Sequence, residues 1–154
     1  MNIKEAIQQS TFRSPAQQVI VNLIYTHQWV TDQIKDMLKP YGVSMPQYNV
    51  LRILRGQHPK PLSTLNIRER MLERMSDVSR IVSRLEQQGL VIRRDCEKDR
   101  RLVDLYISTE GLELLAKIDP RLDEMDRIVG RLNDQELLTL SGLLDKMRST
   151  DENS

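Results

Sequence analysis

Ser76-Asp77-Val78-Ser79-Arg80-Ile81-Val82-Ser83-Arg84-Leu85-Glu86-Gln87-Gln88-Gly89 is the stretch on which the fold turns. Val78, Ile81, Val82 and Leu85 recur at i, i+3, i+4 and i+7, which gathers apolar side chains on one face of a helix. Gly89 falls just past the end of a helix expected over 76–88, where a left-handed C-cap favours glycine. The opposite face holds Asp77, Ser79, Arg80, Ser83, Arg84 and Gln87. It is polar and small at its start and basic further on.

Downstream the period changes. Leu90-Val91-Ile92 enters an extended segment, and Val103, Leu105 and Ile107 alternate with Leu102, Asp104 and Tyr106 in the manner of a strand. Between them Arg93-Arg94-Asp95-Cys96-Glu97-Lys98-Asp99-Arg100-Arg101 reads as a charged hairpin tip. Ser108 resumes helix with Leu112, Leu114, Leu115 and Ile118 apolar. Asp119-Pro120 kinks or interrupts it, because proline removes a hydrogen bond and clashes one turn back. Asn133 and Glu136 have the spacing of a capping box. They open a last helix striped by Leu137, Leu140, Leu144 and Met147, before a tail, Ser149–Ser154, that reads as frayed.

Upstream, a short helix is expected from Ser63, turning Ile67 and Met71 inward. Ser44 caps an earlier helix with Pro46 in its first turn and Tyr48, Leu51 and Leu54 on one face. Gly56 and His58-Pro59-Lys60-Pro61 close that helix with a stiff loop. A long helix from about Pro15 to Lys39 comes first, with Val19, Ile20, Leu23, Ile24, His27, Val30, Ile34, Met37 and Leu38 at helical spacing. Pro40 and Gly42 end it, and no internal repeat or interdomain linker is visible.

Composition excludes several classes. The 154 residues suffice for one ordinary core, and 39% hydrophobic against 29% charged residues leaves apolar surface for a second subunit to cover. One cysteine, Cys96, rules out an intramolecular disulfide, and His27 and His58 lie too far apart to point to a zinc site. No apolar run approaches the roughly 20 residues of a membrane span, and Met1–Ser10 lacks a signal-peptide core, so a soluble cytoplasmic protein is expected. The net charge of +1 hides an asymmetry. Residues 1–67 carry 7 basic and 3 acidic side chains, 68–101 carry 10 and 7, and 102–154 carry 6 and 12. A basic front and an acidic rear point to a polyanionic partner.

Two short helices, a turn, a polar-faced helix and a basic hairpin, in that order, make a winged helix-turn-helix: mainly α with a small β-hairpin wing. A helix fits the DNA major groove, where base edges show a distinguishable pattern of donors and acceptors. Ser76, Asp77, Ser79, Arg80 and Ser83 are short or polar enough to let the backbone approach, with Arg80 the candidate for a bidentate guanine contact and Arg84 for the phosphate backbone. In the wing, Arg93, Arg94, Lys98, Asp99, Arg100 and Arg101 form an arginine-bearing probe for the electronegative minor groove. Asp99, two residues before Arg101, is placed to aim it by an ion pair.

Arg80-Ile81-Val82-Ser83-Arg84-Leu85-Glu86-Gln87-Gln88-Gly89-Leu90-Val91, Asp99-Arg100-Arg101 and Ile107-Ser108-Thr109-Glu110-Gly111 resemble the MarR (multiple-antibiotic-resistance regulator) family. The long first helix, Ser44-Met45-Pro46-Gln47-Tyr48 and the leucine-rich end extend the resemblance over nearly the whole chain. It implies an intertwined homodimer through the N- and C-terminal helices, 15–39 and 108–149, with 44–107 as the DNA-binding lobe. It also implies a pseudo-palindromic double-stranded operator, read by one recognition helix and one wing per half-site. The turn Leu72-Glu73-Arg74-Met75 lacks the glycine many relatives carry, and Asp77 adds a negative charge near the groove. Many such regulators release DNA when a small aromatic or phenolic anion binds between dimer base and DNA-reading lobe. Tyr25, His27, Trp29, Tyr48 and Arg52 are the residues expected to line such a pocket, and no cofactor or metal is implied. Cys96 sits among charges of both signs and reads as incidental.

Two rivals use the same residues. One is a helical protein-interaction and dimerisation module that binds no DNA. The other is an enzyme, against which stand scattered glycines, the lack of any phosphate-cradling fingerprint, and histidines without a nucleophile at matching spacing.

Overall fold

A computed structural model describes residues 1–149. The frayed tail expected from Ser149 therefore lies outside the described residues from Thr150 on. Two compact units divide the chain, Met1–Pro120 and the segment that begins at Arg121.

The first unit opens with a four-residue helix, α1 (Ile3–Ala6), which periodicity did not flag. Asn2 and Glu5 close a reciprocal capping box around it. The long helix α2 (Pro15–Leu38) starts on the Ser14 cap with proline in its first turn, and a single 3₁₀ turn (Lys39–Tyr41) carries the chain to left-handed Gly42. Only Met37 and Leu38, at its C-terminal end, are fully buried. Val19, Ile20, Ile24, Tyr25 and Trp29 stand 40–66% exposed, a row of apolar side chains that the single chain does not cover.

The lobe that follows holds the core. Helix α3 (Met45–Gln57) has a capping box between Ser44 and Gln47 and sends Tyr48, Val50, Leu51 and Leu54 inward. It packs against α4 (Thr64–Arg70), α5 (Val78–Gln87), β2 (Val103–Ile107) and α6 (Thr109–Ile118). Leu51, Leu54, Ile67, Val78, Val82, Leu85, Leu105, Leu115 and Ile118 are all sealed from solvent. Each such side chain contributes about 1.5–3 kcal/mol by its burial, so α3 is the hub that fixes the other elements. Strands β1 (Val91–Asp95) and β2 pair antiparallel, Val91 opposite Ile107 and Asp95 opposite Val103. Leu62 adds an isolated bridge to Leu105, with reciprocal backbone hydrogen bonds of 3.0 and 2.9 Å.

Residues 108–149 hold three helices, with the interruption expected at Asp119-Pro120 and the last helix expected after Asn133. Helix α6 ends at Ile118, a 3₁₀ turn spans Asp119–Arg121 around Pro120, and α7 (Leu122–Ile128) and α8 (Asp134–Arg148) follow. Asp119 is held by Arg55 of α3 in a two-pronged ion pair of 2.8 and 3.1 Å, so the end of α6 is tied to the hub. In the second unit the Arg121 guanidinium clasps Glu124 at 2.8 and 2.7 Å, and the Asn133–Glu136 capping box opens α8 as its spacing predicts. Arg121 holds the Glu124 carboxyl below its usual range. Along α8, Leu137 and Leu144 are half-buried, while Leu138, Leu140, Leu143 and Met147 remain 43–70% exposed.

Candidate nucleic-acid interface

On the inner face of helix α5, Val78, Val82 and Leu85 are buried as the sequence spacing predicts, and Ile81 is half-buried. The start of the helix differs by one residue. Asp77 rather than Ser76 is the N-cap, its carboxylate accepting the Arg80 N–H at 3.2 Å. Ser76 instead donates its hydroxyl to Glu73 at 3.0 Å. A carboxylate at a helix N-terminus also meets the positive end of the helix dipole, which favours Asp77 in the competition for the cap. The C-terminus is a Schellman motif: Gly89 at φ +73°, its N–H bonded to Glu86 and that of Leu90 to Leu85 at 2.9 Å.

The outer face of α5 carries no covering element. Asp77, Ser79, Arg80, Ser83 and Arg84 are exposed and Ser76 is half-buried. Neither the Arg80 nor the Arg84 guanidinium makes an ion pair among the described residues. Their charges are therefore available to a ligand. A cleft of about 340 Å³ runs along this face, bounded by Ser44 and Gln47 at the start of α3, by Glu73, and by Ser76, Asp77, Arg80 and Arg84.

The wing is shorter at its tip than the sequence predicts. Arg93, Arg94 and Asp95, expected in the tip, belong to β1, because the backbone ladder with Val103–Leu105 sets the pairing whatever the side-chain polarity. Arg93 ion-pairs with Glu86 of α5 at 3.1 Å and ties strand to helix. Arg94 lies over the Tyr106 ring, 5.5 Å from its centroid. Cys96–Leu102 forms the actual loop, closed by the Cys96 N–H on the Leu102 carbonyl at 3.1 Å. Lys98, Arg100 and Arg101 are exposed there, and Cys96 is half-buried. The expected ion pair is present. Asp99 accepts from Arg101 Nε at 3.1 Å, Nη2 at 3.1 Å and the backbone N–H at 3.0 Å, while the Arg101 side chain stays 89% exposed. Through these bonds, side chain first and backbone second, Arg101 holds the Asp99 carboxyl below the usual carboxylate range.

Ser108 locks helix and wing together. Its buried hydroxyl donates to the Gly89 carbonyl at 2.6 Å and accepts from Gly111 N–H at 3.0 Å, capping α6 while fixing the end of α5. Gly111 has no room for a side chain: a Cβ there would meet the Leu90 carbonyl oxygen at 2.5 Å.

The five residues expected to line an effector pocket stand in different surroundings. Tyr48 is buried, and Arg52 both donates to its hydroxyl at 3.0 Å and lies over its ring at 5.7 Å, so the two satisfy each other. Tyr25 and Trp29 lie on the uncovered face of α2. His27 lines a groove of about 590 Å³ together with Lys35 and Asp36 of α2, Lys39 of the 3₁₀ turn, Val43–Pro46, and Glu73. Sequence reasoning missed Lys35, Lys39 and Glu73. The i, i+4 spacing of Lys35 and Lys39, across the end of α2 and the start of the 3₁₀ turn, was the available signal. Among the described residues no cluster of three metal-ligating side chains occurs, and no helix is long and apolar enough to cross a membrane.

The family model described as MarR family matches residues 43–103. The crystal structure of a MarR transcription factor from Planctomyces limnophilus is 30% identical, with a TM-score of 0.68 over 88% of this chain and 98% of that one. The chain belongs to the MarR family. Among relatives of this MarR chain, the transcriptional repressor MdtR of Bacillus subtilis is 29% identical over 126 residues, 81% of this chain and 80% of its own. The fold also matches BpsR of Bordetella bronchiseptica, whose DNA binding is regulated by 6-hydroxynicotinic acid. That match is 22% identical at a TM-score of 0.75, covering 86% of this chain and 99% of BpsR. This MarR-family protein is thus a DNA-binding transcriptional regulator with a winged-helix lobe, not an enzyme.

Proposed function

We propose that the protein is a cytoplasmic repressor that binds a pseudo-palindromic operator as a homodimer and is released by a small aromatic or anionic ligand. The observation that carries this is the pairing of the uncovered α5 face with the Asp99-aimed Arg101 of the wing. Helix α5 enters the major groove, where Arg80 reads a guanine edge and Ser76, Asp77, Ser79, Ser83 and Arg84 meet neighbouring bases and phosphates. Arg101 enters the adjoining minor groove, with Lys98 and Arg100 on its flanks. Arg93 and Arg94, engaged with Glu86 and Tyr106, stiffen the wing rather than touch DNA.

The apolar rows left exposed on α2 and on α8 support pairing of two chains, with residues 15–39 and 108–149 as the pairing region and 44–107 as the reading lobe. The naming of the Bacillus subtilis relative as a repressor supports the sign of regulation.

For release, the groove beside His27 has the right chemistry. Lys35 and Lys39 offer charge to an acid, and Val43, Met45 and Pro46 offer an apolar wall to a ring. Glu73 borders both this groove and the cleft along α5, and it holds Ser76 at 3.0 Å. A bound anion repels Glu73 and loosens the start of the recognition helix. The pyridine acid that regulates BpsR is of this chemical kind.

Fluorescence anisotropy on duplexes selected from random DNA tests the proposal. Affinity is expected to fall by orders of magnitude between low and physiological salt as counterions are released. Arg80→Ala is expected to relax preference at one base position, at about 1–3 kcal/mol. Arg101→Ala is expected to weaken binding to all sequences while the dimer persists. A salt-independent signal would favour a protein-interaction module instead.

A further inference from the structure

We infer that Met75 is a specificity-determining residue that reads the 5-methyl group of a thymine beside the Arg80 contact, an inference that rests on the docking of α5 proposed above. Met75 is 97% exposed, the most open of the large apolar side chains described. It stands two residues before Asp77, the N-cap of α5. The N-terminal end of a recognition helix is the part that approaches base edges, so the residues leading into its cap reach the groove with it.

The turn that presents Met75 is held by hydrogen bonds on both sides. Asn49 of α3 accepts the Leu72 N–H at 2.9 Å, the Ser76 N–H bonds to the Glu73 carbonyl at 3.3 Å, and the Ser76 hydroxyl bonds to the Glu73 carboxylate. Met75 is thus an apolar side chain pinned outward, next to the residues that line the polar cleft of α5.

An exposed thioether there has little to gain from phosphates, which call for donors and positive charge. The apolar feature of the major-groove edge is the thymine methyl. Methionine suits it, being unbranched, flexible and polarizable, and so able to seat against a methyl while Arg80 holds the neighbouring base. No other residue of the proposed recognition set offers an apolar side chain: Ser76, Asp77, Ser79, Arg80, Ser83 and Arg84 are all polar.

Deoxyuridine tests this, because it removes the methyl and leaves every groove donor and acceptor in place. Each thymine of a selected operator is replaced in turn, in both half-sites, and affinity is read by anisotropy with the full-length protein. One position is expected to lose about fourfold per half-site, the worth of one buried methyl group. Met75→Ala is expected to bind the thymine and uracil operators equally, and Met75→Leu to keep the preference. Since Met75 is exposed, both variants are expected to keep the parent melting temperature. If no thymine is sensitive, or Met75→Ala stays as sensitive as the parent, the assignment is overturned while DNA reading stands. If no duplex is bound at all, the proposed DNA docking falls and the assignment with it.

Discussion

Asp77 is placed to act in two opposite senses, and one substitution series separates them. As N-cap of α5 it accepts the Arg80 N–H at 3.2 Å, and its charge meets the positive end of the helix. Asp77→Ala is expected to cost about 1 kcal/mol of stability. In a chain of this size that lowers the melting temperature by about 2–4 °C. Asp77→Ser keeps an oxygen on the cap but loses the charge, so it should fall between parent and alanine variant. Toward DNA the sign reverses. A carboxylate about 7 Å from a phosphate in water is repelled by about 0.6 kcal/mol. Over two half-sites that is about 1.2 kcal/mol, or roughly eightfold in affinity at low salt. A screening length of about 10 Å at 0.1 M ionic strength shrinks the gain. Both variants should therefore bind random duplex more tightly than the parent at low salt, and the advantage should fade as salt rises. Differential scanning fluorimetry and anisotropy on one non-specific duplex supply the two readouts. An alanine variant that melts with the parent would refute the cap. Weaker binding by both variants at every salt concentration would refute the charge argument.

Three further outcomes follow from contacts elsewhere. Gly111→Ala adds a good helix former yet is expected to destabilise by about 1–3 kcal/mol, because its Cβ would meet the Leu90 carbonyl at 2.5 Å. The readout is a lower urea midpoint at constant slope. Reversing the charges of Arg55 and Asp119 singly should each destabilise, and the double exchange should recover part of the loss. Both groups are partly solvated, so the coupling in a double-mutant cycle is expected to be about 1 kcal/mol or less. Arg101 depresses the Asp99 pKa, so the ion pair is complete above the ordinary aspartate pKa of about 3.9 and is lost as pH falls through the lowered folded value. The Arg101 Nε–H resonance should therefore stay flat from pH 8 to about 5 and move only in stronger acid, and Asp99→Asn should abolish that movement.

The lobe was largely legible before its structure because its signals are local. The apolar spacing of Val78, Ile81, Val82 and Leu85, the glycine at Gly89, the Asn133–Glu136 pair and the alternation of Val103, Leu105 and Ile107 each act within a few residues. What escaped depends on partners far apart in the chain. Arg93 and Arg94 read as a charged tip, since nothing in their own composition marks a strand. Their place in β1 is imposed by pairing with Val103–Leu105. Tyr48 is turned inward by the elements packed around α3, and Arg52, four residues on, donates to its hydroxyl.

A polar-faced helix followed by an arginine-bearing hairpin can be read from residue order, because helix period, strand period and capping are properties of short stretches. Which arginines are engaged across the lobe and which face solvent follows from packing. Arg93 is spent on Glu86, Arg55 on Asp119 and Arg52 on Tyr48, while Arg80, Arg84 and Arg101 face outward. That division rests on distances between residues as many as 64 positions apart, set by packing around α3.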